Sequence, residues 1–230
     1  INIKFNNKKI DMKKEIDLLK DYPKSKRDLK KRSSDKSDEV RSIARKFGKE
    51  FFDGDRKYGY GGFSYASRFW EPVIPTFKKH FNLNQKSSLL DVGCAKGFML
   101  YDLIRLIPGI TVKGIDISEY AIQNAKEEVR AFVEVGNAVN LPYENNSFDI
   151  VISINTIHNL DKNDCFKSIK EIERVSKKGS FITVDAYRNE EEKERMDDWN
   201  LTAKTIMSVK DWNIFFDEAG YTGDRYWFLP

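Results

Sequence analysis

From Ser88 onward short apolar, β-branched runs alternate with helical stretches, the pattern of βαβ units, which bury their apolar faces as a parallel sheet under helices. The runs lie at 88–92, 111–116, 132–136, 148–154 and 180–186. The fourth and fifth are apolar on both faces for most of their length, so they belong in the middle of the sheet. Between strands, 98–107 is apolar around much of its circumference and stops at Pro108-Gly109. Ser118 can cap a helix whose Ala121, Ile122, Ala125 and Val129 share a face. Asp161 can cap another in which Phe166, Ile169, Ile172 and Val175 recur every third residue. Right-handed crossovers then give an α/β fold with a doubly wound, mostly parallel six- or seven-stranded sheet. Its strand order reverses beside the first strand and opens a crevice at the carboxyl ends. A charged helical stretch (189–207), a helix through Trp212, Phe215 and Phe216, a stop at Gly220 and a last strand at 221–229 complete the expected order.

A chain of 230 residues makes one medium domain with room for a small appendage. Charge places the appendage: residues 1–50 carry 17 Lys and Arg against 9 Asp and Glu, a net +8, which leaves −4 for 51–230 within the overall +4. Residues 1–80 are therefore expected to be a basic helical N-terminal extension. Pro23 and the Ser/Asp-rich stretch 33–38 interrupt it, and Ile43, Phe47 and Phe51 fall on one face. Residues 81–230 form the α/β domain. The two signs interleave in the extension, so nucleic acid is not the expected partner. No run reaches the eighteen or so apolar residues of a membrane span, and no signal peptide is evident. Cys94 and Cys165 lack partners at zinc spacing, which suits reduced thiols in the cytoplasm and no bound metal. Oligomeric state leaves no signature.

The chemistry begins at Leu90-Asp91-Val92-Gly93-Cys94-Ala95-Lys96-Gly97, a strand-to-helix turn. Glycines there let a ligand approach the backbone and expose amide N–H groups at a helix N-terminus, which favours an anionic group. A dinucleotide and S-adenosylmethionine both suit such a turn. Asp91 favours the second, because a carboxylate at the strand end repels a pyrophosphate but stabilises an ammonium and a sulfonium. The spacing G-x-A-x-G also departs from G-x-G-x-x-G. Asp116 ends the second strand, where a carboxylate can accept hydrogen bonds from both ribose hydroxyls, with Ile117 beside the adenine. The structural alternative for Asp116 is a helix cap.

In order, the segments 89–97 (LLDVGCAKG), 113–118 (KGIDIS), 135–153 (VGNAVNLPYENNSFDIVIS) and 155–160 (NTIHNL) resemble the class I, Rossmann-like, S-adenosylmethionine-dependent methyltransferases over about residues 85–190. The resemblance implies that Gly93, Ala95 and Gly97 shape the methionine-binding turn and that Asp116 holds the ribose. Asn137 and Ala138 would lie against the adenine, with Asn137 standing where an acidic residue is frequent. Ala95 stands where glycine is usual, a change tolerated if φ is negative. Asn155 would approach the methyl donor, and Asp149 would be structural. The family usually ends with an antiparallel strand pair, whereas one strand follows Gly220 here.

On the acceptor side, His158 is the histidine nearest the crevice and could take a proton from an acceptor hydroxyl or amine; packing at a helix start is the alternative. The stretch 53–63, DGDRKYGYGGF, is too glycine-rich for a helix and reads as a lid bearing Tyr58 and Tyr60. Tyr187 and Arg188 follow the fifth strand. Arg188, with Arg68, could hold an acceptor carboxylate or phosphate, unless it pairs with Glu190 or Glu191. Trp199 could line the same pocket. The expected activity is in-line transfer of the S-adenosylmethionine methyl to an oxygen or nitrogen of a small molecule, an anionic one being one option. An RNA or tRNA methyltransferase contacting phosphates through residues 4–49, and a non-catalytic cofactor-binding activator subunit, are the alternatives.

Overall fold

The five apolar runs become strands; those at 88–92, 148–154 and 180–186 bury both faces beneath flanking helices, whereas Val135 of the short third run stays exposed. The computed structural model describes residues 15–24 and 36–229; the parts of the basic extension at 1–14 and 25–35 lie outside the described residues. β1 (Ser88–Val92), β2 (Thr111–Asp116), β3 (Val133–Val135), β4 (Phe148–Ile154) and β5 (Ser176–Tyr187) pair in the order β3-β2-β1-β4-β5, reversing next to β1 as right-handed crossovers require. β6 (Met207–Ser208) pairs with Ala186 and Tyr187 at the end of β5, and β7 (Asp224–Phe228) pairs with Phe181–Asp185.

Every strand pairing among the described residues is parallel. This departs from the antiparallel ending that the resemblance implies. The chain leaves β5, returns through a helix at Val209–Glu218, turns at Gly220 with φ of 74°, and so enters β7 from the same end as β5.

Nine α-helices are described: α1 (Asp38–Ala44), α2 (Lys49–Asp53), α3 (Ser67–Trp70), α4 (Ile74–Phe81), α5 (Phe98–Leu106), α6 (Glu119–Gln123), α7 (Lys162–Val175), α8 (Glu190–Trp199) and α9 (Val209–Glu218). The side chains of Ser37, Ser118 and Asp161 accept from the N–H groups of Val40, Ala121 and Asp164, as caps do. One sheet face is covered by Phe77 of α4 and by Leu100 and Leu103 of α5. The other is covered by Ile169 and Ile172 of α7 with Trp212 and Phe216 of α9.

Three expectations are corrected. The helix after Ser118 stops at Gln123 and continues as a 3-10 turn, Glu127–Phe132. The helix in 189–207 ends at Trp199, where the Asn200 amide bonds both the N–H and the C=O of Ala203 and turns the chain. Ile43, Phe47 and Phe51 do not share a helix face, because Phe47 has φ of 48° and separates α1 from α2.

Candidate active site

The turn between β1 and α5 is built from its own hydrogen bonds. The N–H groups of Gly93 and Cys94 both donate to the Ile115 carbonyl, that of Gly97 donates to Cys94, and that of Ala95 donates to the Asp116 carboxylate at 2.8 Å. Four amides of the turn are thus already used within the protein, which leaves the first N–H groups of α5 as the donors at this end. Gly93, at φ of 91°, lies against Thr156, whose side chain occupies the space a Cβ would take. Ala95 has φ of 50°, which corrects the expectation of a negative angle. The left-handed region costs an alanine about 1 kcal/mol, and the bond to Asp116 holds it there.

Asp91 is buried and receives no hydrogen bond from the described residues. Burial, reinforced by the charge of Asp116, pushes its carboxyl up to about 7. Asp116 accepts from the N–H groups of Ala95 and Ser118, each at 2.8 Å. Burial raises its pKa, and those two bonds oppose the rise. A buried and a half-buried carboxylate at adjacent strand ends with so few donors form a negative site that a cation would stabilise. S-adenosylmethionine carries two such cations, and this donor set fits it.

Around these carboxylates, Ile117 is 56% exposed, an unusual level for isoleucine and what a flat apolar ligand face would cover. Asn137 is exposed and its side-chain oxygen accepts from the Val139 N–H, while Ala138 packs half-buried on the core. Asn155 follows β4 at φ of 51°, its side-chain oxygen taking the Thr183 hydroxyl at 2.8 Å. Asp149 accepts from the Ser88 N–H and pairs with Lys178, a structural arrangement.

His158 is buried, and its Nδ1 accepts the backbone N–H of Asp185 at 2.9 Å. An amide proton aimed at Nδ1 puts the imidazole's own proton on Nε2. Burial lowers its pKa, with the Asp185 carboxylate opposing. This geometry does not fit the general base expected from the sequence: neutral His158 has an N–H to offer and no free lone pair.

The N-terminal segment crosses from one side of the molecule to the other. At one end Lys36, Arg41 and Arg45 donate to the backbone carbonyls of Asp198, Asn200 and Thr202, and Val40 and Ala44 pack on Leu201. That stretch continues into Lys204 and Thr205, whose N–H groups bond to the His158 carbonyl just after β4. At the other end the Phe47 carbonyl accepts from the Ser118 hydroxyl, Phe52 stacks near Tyr120, and Phe63 stacks on Phe98 at 4.9 Å. Residues 36–63 therefore form a strap from the β4 side to the β1/β2 side.

The acceptor-side residues are dispersed. Tyr58 packs with the α1–Leu201 cluster, and Tyr60, half exposed, lies 4.3 Å from the Phe63 ring. Arg68 is exposed over Phe69, and Tyr187 is half-buried below Lys193. Arg188 pairs with Glu192 and Glu15, not with Glu190 or Glu191. Trp199 packs on Phe228 at the end of β7. Arg188 therefore starts from paired charge, which weakens it as an anion anchor.

Sequence reasoning missed Asp53, Lys96, Tyr120 and Thr156. The Lys96 ammonium is 2.6 Å from Asp53 and 2.8 Å from the Phe63 carbonyl, and the Tyr120 hydroxyl donates to the same Asp53 oxygen at 2.7 Å. A lysine inside a turn assigned to a cationic ligand was the signal, since such a charge needs a neutralising partner.

A sequence profile of methyltransferase domains matches residues 83–220. The chain is 34% identical over 140 residues to a tRNA (carboxymethyluridine(34)-5-O)-methyltransferase of Arabidopsis thaliana, a match covering 60% of this chain and 32% of that protein. It is 31% identical over 107 residues to a norajmaline N-methyltransferase of Rauvolfia serpentina, covering 44% and 36%. The match spans about a third of the length of each of these curated relatives. Among solved structures, the MccD protein superimposes with a TM-score of 0.52 at 26% identity, over 63% of this chain and 68% of that one.

Proposed function

The chain belongs to the family of methyltransferase domains, and from that premise we propose that it methylates an oxygen or nitrogen of a small molecule enclosed beneath the strap formed by residues 36–63. The class I fold implies S-adenosylmethionine as the methyl donor. Its sulfonium supplies an already activated methyl group, so the chain's task is alignment and exclusion of water. In this reading Asp91 and Asp116 stabilise the donor's positive charge and ribose, and Gly93 against Thr156 keeps the turn flat enough for close approach. Ile117, Asn137 and Ala138 flank the adenine, and Asn155 borders the methyl. The His158 Nε2–H is a donor that can orient an acceptor oxygen. Tyr58, Tyr60, Arg68, Tyr187, Arg188 and Trp199, dispersed as they are, remain candidates for the acceptor side.

The strap carries the size argument. Anchored on the 198–202 stretch and on α5 and α6, it favours a small acceptor over a folded RNA in this reading. The RNA reading uses cations in residues 4–49, and among the described ones Lys36, Arg41 and Arg45 donate to carbonyls of 198–202. Incubating the purified chain with methyl-labelled S-adenosylmethionine and either a small-molecule extract or total tRNA tests this. Label in the small-molecule fraction alone is expected; label in tRNA alone would overturn the reading.

A further inference from the structure

Lys96 puts a positive charge inside a turn whose proposed ligand is itself a cation, and the fold cancels that charge from the strap. Lys96 is buried, and its ammonium lies between the Asp53 carboxylate at 2.6 Å and the Phe63 carbonyl at 2.8 Å. The second Asp53 oxygen accepts the Phe63 N–H at 2.8 Å, which closes the glycine-rich loop 53–63 on itself. Within that loop Tyr60 and Gly62 donate to the Phe51 and Phe52 carbonyls, so it folds back on α2 as a unit. Tyr120 of α6 adds its hydroxyl to Asp53 and sets its ring 5.7 Å from the Lys96 ammonium. Burial pushes the Asp53 carboxyl up, but bonds from Lys96, the Phe63 N–H and Tyr120 outweigh it and hold the group below the usual carboxylate range.

We propose that Asp53 is a positioning residue for the methyl donor: it neutralises Lys96 within the methionine-binding turn and fastens the strap over the bound nucleoside. The proposal rests on the S-adenosylmethionine reading above. Asp53 touches no reacting atom. It acts through Lys96, and its effect is electrostatic as well as mechanical. Without it, an uncompensated ammonium faces a cationic ligand in a partly dry site, where like charges repel far more strongly than in water.

S-adenosylmethionine and S-adenosylhomocysteine differ by a methyl group and one positive charge, so their affinity ratio reads the field in the turn. Calorimetric titration of the full chain and its Asp53→Asn, Lys96→Met and double variants measures that ratio. Hydrogen exchange of residues 54–63 reports the fastening. Asp53→Asn is expected to weaken S-adenosylmethionine roughly tenfold and S-adenosylhomocysteine about threefold or less. Lys96→Met, which leaves the Asp53 charge uncompensated, is expected to move the ratio the opposite way. The double variant returns it to near the wild-type ratio while exchange of 54–63 stays fast. Tyr120→Phe removes a neutral donor and leaves both charges in place, so it is expected to speed exchange of 54–63 without moving the ratio, and Lys96→Met alone reads the charge if Asp53→Asn does not fold. A ratio that both single variants move in one direction, or that neither moves, overturns the proposal, because loss of packing alone does not sense ligand charge. Failure of the wild-type chain to bind either nucleoside would overturn the donor reading itself, before any variant is compared.

Discussion

Burying a carboxylate without a donor lowers stability, and Asp91 is such a group. Its folded pKa of about 7 lies above the ordinary value of 3.8, so the folded state holds a proton that the unfolded state has lost between those values. Stability from this group is therefore full below pH 4 and is lost as pH rises toward 7. Asp91→Asn is expected to stabilise the ligand-free chain at pH 8, by on the order of 2–4 kcal/mol, and to weaken S-adenosylmethionine binding; melting curves and titrations check both. His158 has the reverse sign. Its pKa is lowered by burial, so its contribution is present above pH 6.5 and fades as pH falls below it. An NMR titration should find this imidazole neutral at pH 6.5, with no rate step near that value. Ala95 at φ of 50° balances two effects: Ala95→Gly relieves about 1 kcal/mol of left-handed strain but frees the unfolded chain by a similar amount. The melting temperature should therefore barely move, where a negative φ would have made the change destabilising.

The strap's first anchor is α1, held through Val40 and Ala44 on Leu201 and by three cations on backbone carbonyls. Leu201→Ala is expected to release 38–53 to fast hydrogen exchange while the sheet keeps its protection, because the cluster is separate from both cores. Little of this anchoring was legible in the sequence, since it pairs side chains with carbonyls some 160 residues away and carbonyls leave no signature. The strands were legible because period and burial agree: β1, β2 and β4 begin and end where the apolar runs do. Short elements were not. α2 and β6 hold five and two residues, too few for a period, and only the φ of Phe47 separates α1 from α2. In the site, Asp91 and Asp116 were readable from their positions at strand ends. Asp53 was read as part of a lid, without its partner, because the ion pair with Lys96 joins different elements.

Taken as a whole, the molecule has a parallel sheet that brings Asp91 and Asp116 to the carboxyl ends of β1 and β2, and a strap that joins the 198–202 stretch to α5 and α6. The basic charge of the N-terminal segment is, where described, partly spent on holding that strap to the 198–202 stretch. Four amides of the turn are engaged within the protein as well, and Asp91 and Asp116 add negative charge beside them. On the proposed reading, a crevice of this kind selects a cationic sulfur nucleoside over a diphosphate. Calorimetric titration of the wild-type chain at pH 6 with S-adenosylmethionine, in buffers of different ionisation enthalpy and beside an NAD control, tests that selection most directly. Saturable binding that releases a proton, with the release gone in Asp91→Asn and no heat from NAD, is the expected result. NAD binding with S-adenosylmethionine refused would contradict it.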